Sequence, residues 1–225
     1  MNNAVFPNYS TPLIDNPEVL ELARTINSKP ILTVPFYDEL KPIGNCYWNV
    51  ELMVKKIGGS IQYGWIFNIW ENILVEAMHH AVWRTPEGIL YDVTQNYPMF
   101  GNTHTIFLPD DENKPNTLDI VPAYQNHFKL LTADLSAKNF VAAHRNKIEL
   151  VQQYQSALYD SGYRCEQNRA QACGNLDLTK NISITPPTAD IHKALTEIPA
   201  LISKVDQYIG ACIPHLNQLS EDHLD

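Results

Sequence analysis

The sequence predicts an α+β protein in which a cysteine-bearing helix packs on an antiparallel sheet carrying a histidine and an aspartate, followed by a C-terminal helical extension. Three observations predict it. Val50, Met53, Val54 and Ile57 repeat at the spacing of one buried helix face, with Cys46 at or just inside the first turn. Ser60 to Trp70, Ile73 to Arg84 and Ile89 to Thr94 are rich in β-branched and aromatic residues and are separated by short turn signals. From about Ser136 the texture changes to long amphipathic helices. The expected organisation is an N-terminal arm at 1–30, a helix-plus-sheet core at 31–130 and a helical extension at 131–225.

In chain order, the arm contains one short helical stretch around Pro17 to Ile26. Ile31 to Tyr37 reads as a strand that Pro35 places at an edge or ends, because proline donates no ladder hydrogen bond. Lys41 to Cys46 forms a turn into the helix, which Gly58 and Gly59 stop. Thr105 to Leu108 is a further strand, followed by an acidic loop from Asp110 to Asn116. Phe140, His144, Ile148, Val151, Tyr154 and Leu158 mark one face of a long helix. Tyr163 to Ile184 is polar and turn-rich. A last amphipathic helix carries Ile191 to Ile209, with Pro199 a candidate break.

Of the 225 residues, 44% are hydrophobic and 18% charged, enough apolar material for a core and too little charge for a disordered chain. Lys and Arg number 16 against 25 Asp and Glu, a formal net charge of -9, and no basic cluster exists. The electrostatic footprint of a nucleic-acid binder is therefore missing. Met1 to Asn16 lacks the positive charge and apolar run of a secretory signal, and no apolar stretch is long enough to span a bilayer. Cytoplasm is the expected location, with specialised export left open and no membrane partner expected. Cys165 and Cys173 match no zinc spacing, and adjacent His79 and His80 on a strand point apart, so neither a metal nor a cofactor is expected.

Cys46 is the candidate nucleophile. A helix N-terminus favours a thiolate and offers unpaired N–H groups to an oxyanion. The alternative is an ordinary thiol buried under the sheet. Pro86-Glu87-Gly88 fits a three-residue hairpin loop pairing Thr85 with Ile89, which makes His80 and Asp92 diagonal neighbours on one face. A one-residue slip would recruit His79 instead. Asp92 is unusual in a strand and wants a partner. It either fixes the imidazole or orders the loop from Thr94 to Asn96. Asn45 and Asn49 flank the cysteine as candidate oxyanion donors or helix caps. Trp48, Trp65 and Trp83 are candidates for a substrate platform or for the core.

A cysteine at a helix start, a strand histidine and an aspartate on the next strand together resemble the core of the transglutaminase-like branch of the papain-like superfamily. The stretch His80-Ala-Val-Trp83, then Gly88, then Asp92-Val-Thr94, is similar to the histidine-to-aspartate hairpin of that core, over about residues 40–97. That family usually carries Trp directly after Cys, whereas here Tyr47 precedes Trp48. The resemblance implies a papain/transglutaminase-like fold with Cys46 as nucleophile, His80 as base and Asp92 as orienting acid. The expected activity is acyl transfer at an amide bond of a protein or peptide substrate. The alternative, of a different class, is an inactive member that binds partners through its helical tail.

Overall fold

The computed structural model describes residues 5–95, 102–179 and 182–222. Asn96 and Tyr97, at the end of the stretch that carries the resemblance, lie outside the described residues. The elements are β1 (Tyr9–Ser10), α1 (Pro17–Ile26), β2 (Leu32–Lys41), α2 (Cys46–Ile57), β3 (Ser60–Trp70), β4 (Leu74–Arg84), β5 (Leu90–Thr94), β6 (His104–Pro109), β7 (His127–Leu130), α3 (Leu135–Asp160), α4 (Glu166–Cys173) and α5 (Ala189–Glu221), with a short 3-10 turn at Leu176–Thr179. The protein is α+β. Among the described residues no helix is long and apolar enough to cross a membrane.

The sheet differs from the antiparallel one expected in containing a parallel pair and in closing on itself. β3 and β4 pair along their full length, and the pairing continues β3–β6–β2–β5–β4, so five strands close into a barrel. β2 and β5 run parallel; the other barrel pairs are antiparallel. Closure rests on β2, which Pro35 neither ends nor confines to an edge. Leu32 to Pro35 pair with β6, then Phe36 pairs with Asp92 of β5. Pro35 stands where the ladder passes from one neighbour to the other, and its missing N–H is least costly at such a break.

One side chain from each barrel strand fills the interior: Val34, Ile66, Val82 and Phe107 are buried together, with Leu90 against them. Gly64 lets β3 and β6 approach. A methyl group there would lie 2.2 Å from the Leu108 carbonyl oxygen and 2.5 Å from Phe107 Cζ. Outside the barrel, α1 covers Trp65, Phe67 and Ile106 through Val19, Leu22 and Ala23. α2 covers Ala81, Trp83 and Val93 through the stripe that includes Val50 and Met53. Phe140 and Val141 of α3, with Ile209 and Ile213 of α5, pack on Trp70 and Leu74 at the end of the β3–β4 hairpin.

α5 runs unbroken through Pro199 and Pro214. A proline removes one hydrogen bond and crowds the preceding turn, and here Ile198, Ile209, Ile213 and Leu216 are buried along the helix. α4 falls in the stretch from Tyr163 to Ile184 that reads as polar and turn-rich. Its sequence is too polar to show a stripe, and just Ala170 and Ala172 are buried.

Barrel closure gives a stability prediction. Gly64→Ala should lower the unfolding free energy in urea by about 2–3 kcal/mol through overpacking. A loss below about 0.5 kcal/mol would mean that β3 and β6 can separate at no cost.

Candidate active site

The turn before α2 is shaped by Gly44, whose φ of 73° is costly for a residue with a side chain. The first hydrogen bond of the helix runs from Asn49 N to the Asn45 carbonyl at 2.9 Å. The N–H groups of Cys46, Tyr47 and Trp48 therefore have no partner within the helix, which is the general condition of a helix N-terminus. Cys46 is buried, at 9% exposure, and lines a cleft of about 400 Å³.

The hairpin between β4 and β5 has the register expected from its loop. Thr85 N donates to the Ile89 carbonyl at 2.8 Å, and Trp83 pairs with Tyr91. His80 and Asp92 consequently share a face, and His80 Nε2 lies 3.0 Å from Asp92 Oδ2. The other carboxylate oxygen, Oδ1, accepts from Thr94 N at 3.0 Å. Asp92 is fully buried and His80 nearly so. Burial alone disfavours a charge on His80, but the charges of Asp92 and Cys46 and hydrogen bonds to both outweigh it and push the imidazole up to about 10. Asp92 occupies Nε2, which leaves Nδ1 as the nitrogen for the Cys46 thiol. The structure thus brings Cys46, His80 and Asp92 into one contiguous group.

His79 lies in the same cleft but in a different network. Its Nε2 is 2.6 Å from the Asn113 carbonyl, and its Nδ1 is 2.7 Å from the Tyr47 hydroxyl. A carbonyl only accepts, so Nε2 carries the proton and Tyr47 donates to Nδ1. Tyr124 stacks on the ring with centroids 4.0 Å apart. Burial pushes His79 down to about 4, against the opposing effect of the bond to Asn113.

Neither asparagine faces the cleft. Asn45 occupies the N-cap position without a side-chain capping bond. Its amide donates to the Asn168 carbonyl at 2.9 Å and to Asn49 Oδ1 at 3.2 Å. The Asn49 amide donates to the Pro42 carbonyl at 2.8 Å and to Thr94 Oγ1 at 3.0 Å, tying the turn before α2 to the end of β5. These partners hold the site together and leave both amide groups committed. Of the tryptophans, Trp48 lines the cleft and is fixed by donation to the Leu118 carbonyl at 3.0 Å. Trp65 donates to Asp110 at 2.8 Å and packs in the core under α1. Trp83 donates to the Gly58 carbonyl at 2.9 Å and packs on Tyr37 behind α2.

Sequence reasoning missed Tyr47, Tyr124, Asn168 and Arg169. Asn168 returns a bond to Asn45 Oδ1 at 3.1 Å. Arg169 joins Glu51 of α2 to Asp119, the neighbour of the residue that anchors Trp48. Both sit on α4, whose existence the polar sequence conceals. The signal for Tyr47 was its position beside Cys46. All four cysteines are free, and Cys165 is pushed up to about 12 by burial. Among the described residues no group of three or more His, Cys, Asp or Glu side chains is placed to hold a metal ion.

Comparison with protein-family models, curated proteins and solved structures finds no match to the chain.

The two histidines should give stability opposite pH dependences. His80 has a folded value above the ordinary one near 6.5, so its charge stabilises the fold fully below about pH 6.5, and that contribution is lost as the pH rises through about 10. His79 has a folded value near 4, so its contribution is present above about pH 6.5 and is lost as the pH falls towards 4. Urea unfolding across this range should show both limbs in the wild type. Asp92→Asn should cost about 3–5 kcal/mol at neutral pH and remove the alkaline limb. His79→Gln should flatten the acid limb instead. An alkaline limb unchanged by Asp92→Asn would contradict a charged His80.

Proposed function

We propose that the protein is a cysteine-dependent acyl-transfer enzyme acting on an amide bond, as a peptidase, amidase or glutamine deamidase, through a thioester on Cys46. The observation that carries this reading is the buried group of Cys46, His80 and Asp92 at a cleft, with His80 Nε2 3.0 Å from Asp92 and the thiol at a helix N-terminus. The likeness of this arrangement to the papain/transglutaminase-like core supports it further.

The chemistry follows from the geometry. His80 enters the reaction as an imidazolium that Asp92 stabilises through Nε2, its Nδ1 proton facing Cys46, whose thiolate is the nucleophile. Cys46 Sγ attacks the carbonyl carbon, and the oxygen that gains charge is stabilised by the free N–H groups of the first turn of α2. As the C–N bond breaks, His80 passes its Nδ1 proton to the leaving nitrogen, giving a thioester and a free amine. His80 then takes a proton from water, or from an acceptor amine, which attacks the thioester, releases the acyl group and restores the Cys46–His80 pair. No metal or cofactor takes part in these steps.

The test is the rate of iodoacetamide alkylation at each cysteine, read by mass spectrometry in wild type, His80→Ala and His79→Ala. Cys173 is exposed and serves as the internal reference. Cys46 should react faster than Cys173 despite its burial, because thiolate content and not exposure alone sets the rate. His80→Ala should slow Cys46 by about tenfold or more, and should reduce turnover by about 10²–10⁴-fold once a substrate is found. His79→Ala should leave most of the reactivity. A Cys46 slower than Cys173 and indifferent to both histidines would end the enzyme reading.

A further inference from the structure

The cleft in front of Cys46 carries no Lys, Arg, Asp or Glu side chain among its described lining residues. The ionisable groups among those lining residues are Cys46, His80, His79 and the tyrosines 47 and 124. His79 is held neutral by burial, against the opposing effect of its bond to the Asn113 carbonyl, and both of its ring nitrogens are occupied. The buried carboxyls around it lie outside the lining and are held by partners: Asp92 by His80 and Thr94 N, Asp110 by Trp65 and Asn113, and Glu76 by the Asn126 amide at 2.7 Å. A charged group entering this space would lose its hydration, and the charge of His80 is already paired with Asp92, so the entry would cost several kcal/mol.

The far wall comes from the helical extension. The apolar face of α3 divides into three parts. Phe140 and Val141 pack in the core under the β3–β4 hairpin, and Tyr154 and Leu158 pack in the core under α2. Between them, Ile148 and Val151 belong to neither core, are half-buried, and line the cleft. The same helix fixes the opposite loop. Gln152 donates to the Ala123 carbonyl at 2.6 Å, and the Arg145 carbonyl accepts from Gln125 at 3.1 Å. Two branched apolar side chains outside the four buried clusters, one helical turn apart and lining the same cleft as the nucleophile, offer a surface to an apolar occupant.

We infer that the cleft accepts an uncharged, apolar side chain of a peptide substrate next to the carbonyl that Cys46 attacks, with Ile148 and Val151 of α3 as the specificity-determining wall. The volume of about 400 Å³ suits a side chain with its flanking backbone and is small for a long acyl chain. This inference rests on the acyl-transfer reading and adds the substrate class to it.

The experiment uses chloromethyl ketones of N-acetyl-leucine, N-acetyl-aspartate and N-acetyl-lysine, and an unbranched decanoyl chloromethyl ketone, on the full chain. In each, Cys46 Sγ bonds to the methylene carbon, chloride leaves, and the thiol proton passes to solvent. Rates at Cys46 are read by mass spectrometry relative to Cys173. The leucyl reagent should outrun the aspartyl and lysyl reagents by about tenfold or more, and the decanoyl reagent should not exceed it. Ile148→Asp or Val151→Asp should bring the leucyl-to-aspartyl ratio down towards one, and Ile148→Leu should preserve it. Equal rates for all amino-acid reagents at a selectively labelled Cys46 would overturn the inference and leave the acyl-transfer reading standing. A fastest decanoyl reagent would overturn it in favour of a lipid-like acyl donor. Labelling of Cys173 with none at Cys46 would overturn both.

Discussion

A carboxylate with no exposed surface, Asp92, constrains the middle of this structure. An ion of that size costs several kcal/mol to bury without partners. Asp92 meets the demand with His80 on one oxygen and Thr94 N on the other. The consequence reaches the backbone. β4 and β5 stop pairing after Trp83 and Tyr91, and the His80–Asp92 side-chain bond spans the place where ladder bonds end. Further along, β7 takes the same edge of β4 from Ala77 back to Leu74. Between the two partners, Met78 to Val82 have no ladder neighbour on that edge among the described residues, and there the cleft forms.

That gap explains why residues from both faces of β4 reach one cavity. Met78 and His80 point with the barrel interior, and His79 with the outer face under Tyr47. In a continuous sheet these would be separated by the strand itself. At an interrupted edge the first turn of α2 can enter, bringing the thiol to the histidine on the inner face and Tyr47 to the one on the outer face. The asparagines lock this entry in place, since Asn49 binds both the preceding turn and β5, and Asn45 binds α4.

Much of this was legible in the sequence, and the part that was not has a physical cause. The α2 stripe, the Pro-Glu-Gly loop and the unusual strand aspartate are local signals, and each specifies geometry within a few residues. They suffice to align His80 with Asp92. Closure of the barrel is not local. It depends on Gly64 allowing β6 close to β3, and on β2 changing partners at Pro35, where the sequence suggests an end. α4 has almost no apolar residue to bury, so Asn168 and Arg169 appear unremarkable until the fold sets them beside Asn45 and Glu51. The tryptophans mislead for a similar reason: proximity in the sheet does not tell which face meets solvent, and only Trp48 of the three candidates reaches the cleft.

The neighbours His79 and His80 show how far environment overrides residue type. Both are withdrawn from solvent, and burial alone would make each neutral. His80 meets a carboxylate and a thiol and is pushed up to about 10. His79 meets a carbonyl and a phenol, neither of which carries charge at neutral pH, and is pushed down to about 4. Successive strand residues point to opposite faces, so one peptide step separates an ion-stabilising pocket from an apolar aromatic one. The same step also divides the cleft by chemistry. The side of His80 can hold and transfer a proton, and on the side of His79 the protons of His79 and Tyr47 are held in internal bonds. A reacting amide placed between them would have its carbonyl at the reactive side, while the rest of the substrate lay against uncharged aromatic and aliphatic surface.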